Sequence, residues 1–213
     1  MKLAITSDLH GTLPVIDQEH DVTIINGDIY PEYSFDYFAT LQDQHVWHFQ
    51  KFIPWLKTIP SKQILIGAGN HDYFINTEGK NYDSTLPDHC CYLEDEPIVL
   101  EGIKFYFSPW CGEILGRNFP FTARKEVLDI YADGIPKDTN ILVTHSPQAF
   151  VLDRCPLQDK DFGSLALTNA IKELDRLKLH CVGHIHGIEN NIVNNGKYTT
   201  INSAEKVVYY EYK

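Results

Sequence analysis

With 213 residues, 43% hydrophobic and 22% charged, the chain has the length and balance for a sizeable soluble core, and one domain over residues 1–213 is predicted. Its formal net charge of -11 argues against a nucleic-acid backbone as the main partner, because phosphate contacts need clustered Lys and Arg. No run of about 18 apolar residues occurs, so no membrane span is expected.

The opening Met1–Asp8 is a short strand pattern, too short and polar for a signal-peptide core. Leu3–Ser7 and Val22–Asn26 are apolar runs ending in polar residues, with a loop and a short helix expected over Gly11–Asp21. An aromatic-rich stretch follows, with Tyr30, Tyr33, Phe35, Tyr37 and Phe38. These side chains read as core and loop packing or, for Tyr30 or Tyr33, as a stacking surface for a substrate base. Val46, Phe49, Ile53 and Leu56 recur at helical spacing, with Asp43 as N-cap and Pro54 expected to kink or end the helix. Ile64-Leu65-Ile66, bounded by Gly67, is a buried strand, and Asn76–Asp95 a polar surface loop.

Ile98–Leu100 and Ile103–Phe107 flank Glu101-Gly102 as a β-hairpin. Thr122 is a candidate cap for a helix carrying Val127, Ile130 and Tyr131. Ile141–Val143 is another strand. Ser164 caps a helix with an apolar face of Leu167, Ala170, Ile171, Leu174 and Leu177. Cys181–Val182 is a strand, and Tyr198–Asn202 and Val207–Tyr212 form a closing strand pair. The five cysteines are odd in number and lack CxxC spacing, which fits reduced thiols in a cytoplasmic protein. Vicinal Cys90-Cys91 reads as packing. The early βα units and later strands imply an α/β domain with two sheets.

Polar residues sit where these apolar runs end. Asp8-Leu9-His10 puts a carboxylate and an imidazole two residues apart, and Gly27-Asp28 supplies a carboxylate able to bridge two ions. Gly69-Asn70-His71-Asp72 adds a carboxamide oxygen, a proton-donating imidazole and an acid to orient it. His145 follows one strand, and His184-Ile185-His186 another. Glycines before Asp28, Asn70 and His184 let the backbone turn sharply. Carboxylate, carboxamide and imidazole donors together suit first-row metals better than calcium. Each motif alone has a dull explanation; five in series, each after an apolar run, do not.

This set, Asp8-x-His10, Gly27-Asp28, Gly69-Asn70-His71-Asp72, His145 and Gly183-His184-x-His186, resembles the full motif series of the calcineurin-like metallophosphoesterases. The resemblance implies a four-layer α-β-β-α sandwich of two mixed sheets flanked by helices, with a dinuclear metal site at the strand ends. It implies that Asp8, His10 and His186 hold one ion, that Asn70, His145 and His184 hold the second, and that Asp28 bridges them. Two divalent ions are implied, manganese first, with iron, zinc, nickel or cobalt as alternatives. Such a pair would neutralise a phosphate and acidify the attacking water. His71 would contact a phosphate oxygen or protonate the leaving group, with Asp72 orienting it. His20, His45, His48, His89 and His180 match no motif and read as structural or surface residues.

The segment Gly27-Asp28-Ile29-Tyr30-Pro31-Glu32 lacks the Arg of the GDxxDRG motif of phosphoprotein phosphatases, and the chain lacks their GNHE motif. Such an Arg would clamp a phosphomonoester dianion. Ser108-Pro109-Trp110, Thr144-His145-Ser146-Pro147 and Ile201-Asn202-Ser203-Ala204 resemble small phosphodiesterases of the superfamily instead. Trp110, Arg117 and Arg124, with Tyr30, are the candidate substrate contacts. The expected substrate is a small phosphoester of nucleotide type, with no membrane partner and no nucleic acid. The alternatives are a phosphomonoesterase, a nuclease and a non-catalytic metal-binding scaffold.

Overall fold

The computed structural model describes residues 1–32, 37–113, 118–188 and 191–213, leaving out the side chains of residues 37–39. In chain order the strands are β1 (Lys2–Thr6), β2 (His20–Asn26), β3 (Ser61–Gly67), β4 (Cys90–Tyr92), β5 (Glu96–Leu100), β6 (Ile103–Ser108), β7 (Cys111–Gly112) and β8 (Thr122–Ala123). They continue with β9 (Ile141–Thr144), β10 (Arg154–Cys155), β11 (Lys160–Asp161), β12 (Leu179–Val182), β13 (Ile192–Asn194), β14 (Thr199–Asn202) and β15 (Val207–Glu211). The α-helices are α1 (Tyr37–Trp47), α2 (Ile53–Leu56), α3 (Tyr73–Glu78), α4 (Lys125–Asp133) and α5 (Leu165–Lys172).

One sheet has the order β15-β1-β2-β3-β4, parallel except for the antiparallel edge strand β15. The other has the order β13-β14-β12-β9-β6-β5, parallel in the centre and antiparallel at both edges. Strand alternation sorts the side chains into layers. Leu3, Ile5, Val22 and Ile24 of the first sheet meet Phe105, Phe107, Ile141, Val143 and Ile201 of the second. Ala4, Ile25, Ile64 and Ile66 point the other way, into a cluster with Phe52, Leu56 and Phe74 from the helical segments. Tyr106 and Leu142 do the same on the far side, against α4 and α5. Helix, sheet, sheet and helix therefore stack as the expected four layers. Each fully buried aliphatic or Phe side chain contributes about 1.5–3 kcal/mol to holding them.

Several local expectations change. Asp43 lies inside α1 rather than capping it. Pro54 lies in the first turn of α2, after a π-helical turn over His48–Phe52, and the helical run ends two residues later at Leu56. That wider turn bonds Ile53 N–H to the His48 carbonyl, and it shifts the buried face onto Trp47, His48 and Phe52. Val46 and Phe49 consequently face solvent. Gly11–Asp21 holds a loop and no helix, while Cys90–Tyr92, expected within a surface loop, is the edge strand paired with β3. Thr122 lies in β8, and its hydroxyl donates to the Phe119 carbonyl rather than capping α4. The two C-terminal strands do not pair: β14 joins the second sheet beside β12 and β15 crosses to the first beside β1. Ser164 caps α5 as expected, accepting from Leu167 N–H at 3.2 Å. The Glu101-Gly102 turn closes the β5–β6 hairpin with both residues at positive φ (50° and 80°), as a type I′ turn requires.

Where the sheets meet at the C-terminal ends of their parallel strands, a polar seam replaces the apolar filling. Asn26 at the end of β2 donates its amide to the carbonyls of Thr144 (2.8 Å) and Cys181 (3.4 Å) on the other sheet. Ser203 N–H bonds Val182 O, and Ser7 N–H bonds Ser203 O, so the crossing from β14 to β15 is tied to both sheets. No helix among the described residues is long and apolar enough to cross a membrane.

Candidate metal centre

The seam gathers the motif residues from opposite sides. Asp8, His10, Asp28, Asn70 and His71 leave the first sheet after β1, β2 and β3, and His145, His184 and His186 leave the second after β9 and β12. Three of these side chains, Asp8, His10 and His186, place one ligand atom each within 4.8 Å of the others, and so do Asp8, Asp28 and His145. A third such group joins His145 and His184 to Cys111. Asp8, Asp28, Asn70 and His145 are buried.

The backbone is bent to achieve this. Asp8 (φ 56°), His10 (φ 42°), Asp28 (φ 50°) and His184 (φ 65°) all occupy the left-handed region, which costs non-glycine residues of order 1–3 kcal/mol each. Of the three glycines expected to allow sharp turns, Gly27 has positive φ (82°). The other two are there for space. A Cβ on Gly69 would collide with Asp28 Oδ1 and sit 2.7 Å from His145 Cε1, and one on Gly183 would strike Ser7 Oγ and lie 2.5 Å from Asp8 Oδ2.

Hydrogen bonds fix the ligand atoms. His145 Nδ1 donates to Asn26 O at 2.9 Å, so Nε2 is the ring nitrogen turned to Asp28 Oδ2 at 3.2 Å. That Nε2 is fully buried and has no hydrogen-bond partner among the described residues. Asp8 accepts from His184 N–H at 2.9–3.0 Å and meets His186 Nε2 at 3.0 Å, while Asp28 Oδ1 accepts from His71 N–H at 2.8 Å. Burial disfavours charge on Asp28, but His145 outweighs it and holds the carboxyl below the usual carboxylate range. Burial also opposes charge on His145, yet the facing Asp28 and Asp8 carboxylates raise it to about 10. His184, desolvated by burial and beside His145, is lowered to about 4, so it stays a neutral donor. Carboxylates within reach of an unpartnered buried imidazole nitrogen, a carboxamide and neutral imidazoles form a donor set that fits divalent first-row ions.

The second functional position corrects one expectation. Asp72 does not orient the His71 ring. Its Oδ1 accepts from Ile29 and Tyr30 N–H (2.7 and 3.3 Å) and its Oδ2 from Gly69 N–H (2.8 Å), so it clamps the Asp28 and Asn70 loops together. Burial and the neighbouring Asp28 raise its carboxyl to about 7. The ring of His71 is held by Glu32, whose Oε2 lies 2.5 Å from Nδ1. The sequence reading missed Glu32, although an acid four residues beyond Asp28 in the same loop was its signal. It also missed Cys111, which lies in the turn-rich segment after β6.

The candidate substrate contacts fare differently. Tyr30 is fully buried, with its hydroxyl 2.6 Å from His48 Nδ1 and 2.7 Å from Tyr82 Oη, so it cannot stack on a substrate. Trp110 is stacked on Tyr131 (4.1 Å between centroids, 8°) and donates Nε1–H to Asp95 at 2.6 Å, so one ring face is already covered. Arg124 is exposed and pairs with Glu113 at 3.4 Å. Tyr33, Phe35 and Arg117 lie outside the described residues, as do the side chains of Tyr37 and Phe38.

Known proteins place this geometry. The calcineurin-like phosphoesterase family matches residues 1–187. The metallophosphoesterase domain-containing protein 1 of Homo sapiens and that of Mus musculus are each 27% identical over 184 residues. Each match covers 76% of this chain, and the chain spans only 56% of the relative's length. A dimetal phosphatase from Danio rerio shares the fold, with a TM-score of 0.53 at 9% identity over 94% of this chain and 86% of that one. With the family match covering most of its length, and the motif residues meeting at one seam, the chain belongs to the calcineurin-like phosphoesterases, metal-dependent hydrolases that act on phosphoester bonds.

Proposed function

We propose that the chain is a dinuclear phosphodiesterase acting on a small, nucleotide-type diester. The observation that carries this reading is the meeting of Asp8, Asp28 and Asn70 from one sheet with His145, His184 and His186 from the other. Asp8, His10 and His186 would hold one ion and Asn70, His145 and His184 the second, with Asp28 between them. Manganese is the first choice, and iron, zinc, nickel or cobalt are the alternatives. Bound there, the ions would neutralise phosphate charge and acidify water.

The protein's own groups do the rest. Glu32 accepts from His71 Nδ1–H and holds the ring, leaving Nε2–H to donate a proton to the departing oxygen. Preference for a diester follows from charge. The charged partners of Asp8, Asp28 and Glu32 among the described residues are histidines, with no guanidinium to clamp a dianion. A diester carries a single charge. A cavity of about 250 Å³ beside Asp8 and His10, lined by Leu9, Thr12, Pro14 and Glu205, offers a mixed wall for the organic half of a small ester.

The test is paired hydrolysis of bis-p-nitrophenyl phosphate and p-nitrophenyl phosphate after chelation and Mn²⁺ addition, with Asp28→Asn as control. Faster hydrolysis of the diester, lost in the variant, supports the proposal. Faster hydrolysis of the monoester turns it to a phosphomonoesterase.

A further inference from the structure

Four of the five cysteines have ordinary packing roles. Cys181 lies in the filling between the sheets and Cys90 in the cluster under the helices, Cys91 packs against the former, and Cys155 sits in the small β10–β11 ribbon. Cys111 has different neighbours. It leaves the loop after β6, whose last residue Ser108 is paired with Thr144 just before His145. A short parallel pairing with β8 anchors it through Cys111 N–H to Phe121 O at 2.9 Å. Its sulfur is buried 3.6 Å from Asn70 Oδ1, and within 4.8 Å of ring nitrogens of both His145 and His184. One of those imidazoles carries the buried, unpartnered Nε2.

The geometry points to Cys111 as an additional ligand of the second ion, a thiolate donor beside Asn70, His145 and His184. This rests on the dinuclear reading above. In the chain without metal the thiol hydrogen has only weak acceptors, Asn70 Oδ1 at 3.6 Å and Pro109 O at 3.8 Å. When the sulfur–metal bond forms, the S–H bond breaks and its proton leaves to solvent, while the electron pair goes to the metal. The consequence is asymmetric selectivity. A position with sulfur favours zinc, iron or cobalt over manganese, whereas the Asp8, His10 and His186 position has no sulfur.

Cobalt(II) titration of the chelated full chain tests this, because cobalt reports its donors by absorption. Bands of d–d type show that ions bind, and a strong near-ultraviolet sulfur-to-cobalt charge-transfer band shows thiolate ligation. The expected result is two cobalt ions per chain with the charge-transfer band. Cys111→Ser should keep the d–d bands, lose the charge-transfer band and weaken Zn²⁺ at one site by about tenfold or more, with Mn²⁺ little changed. Two ions bound with no charge-transfer band in the wild type would overturn the role of Cys111 and leave the dinuclear reading standing. Fewer than two ions bound would overturn that reading and the inference with it. If Cys111→Ser fails to fold, X-ray absorption of the zinc-loaded wild type decides, since a sulfur scatterer at about 2.3 Å is required and nitrogen and oxygen scatterers alone would refute it.

Discussion

The two sheets bring different chemistry to the seam. The first supplies all the oxygen donors, Asp8, Asp28 and Asn70, besides His10 and His71, and with them most of the bent backbone, since Asp8, His10 and Asp28 all have positive φ. The second supplies the imidazoles of His145, His184 and His186 and, through the loop after β6, the Cys111 thiol. Without cations, Asp8 and Asp28 are balanced by histidines of both halves, His186 and His145 from the second sheet and His10 from the first, with His145 Nε2 3.2 Å from Asp28. A site divided in this way assembles only when the sheets pack, so the apolar filling between them also sets the distances at their polar edge. Asp8 and Asp28 also repel each other in this buried site, and a bound cation would offset that repulsion.

Breaking the acidic half should have the largest effect. Asp28→Asn removes the charge facing His145 and weakens the acceptor for His71 N–H, so kcat/KM should fall by about 10³-fold or more, with metal content reduced. Elemental analysis beside the rate assay checks it, and full metal content with normal turnover would contradict the division. His71→Ala should keep the metal and lose about 10²-fold on a substrate with a poor leaving group, and less on p-nitrophenyl esters that need no acid. Glu32→Gln is milder. It should cost about 10-fold or somewhat more in kcat, because the ring loses the carboxylate that holds its Nδ1–H. Asp72→Asn should instead lower stability, since that side chain holds loops and not the ring.

Much of this was legible in the chain, because the parallel strands β1, β2, β3, β9 and β12 are apolar runs and each is followed within a few residues by a side chain that reaches the seam. β2 ends at Asn26 before Gly27-Asp28, and β3 at Gly67 before Gly69-Asn70. What was hidden depended on neighbours far along the chain. Tyr30 lies only two residues from Asp28, yet it turns into the helix layer and bonds His48 and Tyr82, residues 18 and 52 positions away. Local pattern carries no trace of that pairing. The same holds for the His71 ring, which is held by Glu32 of the Asp28 loop and not by the adjacent Asp72. β14 and β15 are adjacent in sequence and end in different sheets, a choice made by the seam bonds of Ser203. Tyr30→Phe tests the burial. Stability should drop by about 1–3 kcal/mol, measured by urea unfolding, with KM unchanged. A raised KM at unchanged stability would return Tyr30 to the substrate.

The smallest effect sharpens the contrast within the second sheet, where two fully buried histidines, His145 and His180, have opposite fates. Thr144 Oγ1 donates its hydrogen to Ser146 O at 2.7 Å, so His180 Nε2 must be the donor in its 2.8 Å bond to that hydroxyl. His180 Nδ1 is left bare with no partner among the described residues, whereas His145 Nε2 is turned to Asp28 Oδ2 at 3.2 Å. The difference is what each nitrogen faces. Carboxylates beside His145 raise it, while burial with nothing to offset it lowers His180 to about 3. A depressed base is neutral in the fold and takes up a proton only on unfolding, so its contribution is full above pH 6.5 and is lost as pH falls below that value. Between pH 7.5 and 5.5 the loss should be about 1 kcal/mol. Urea unfolding of the chelated chain at both pH values, beside His180→Gln, isolates it, because the site histidines titrate alike in both proteins. The variant should show the shallower acid dependence. Equal slopes would mean that His180 is protonated in the fold, and that the second sheet can accept a buried positive charge even where no carboxylate faces it.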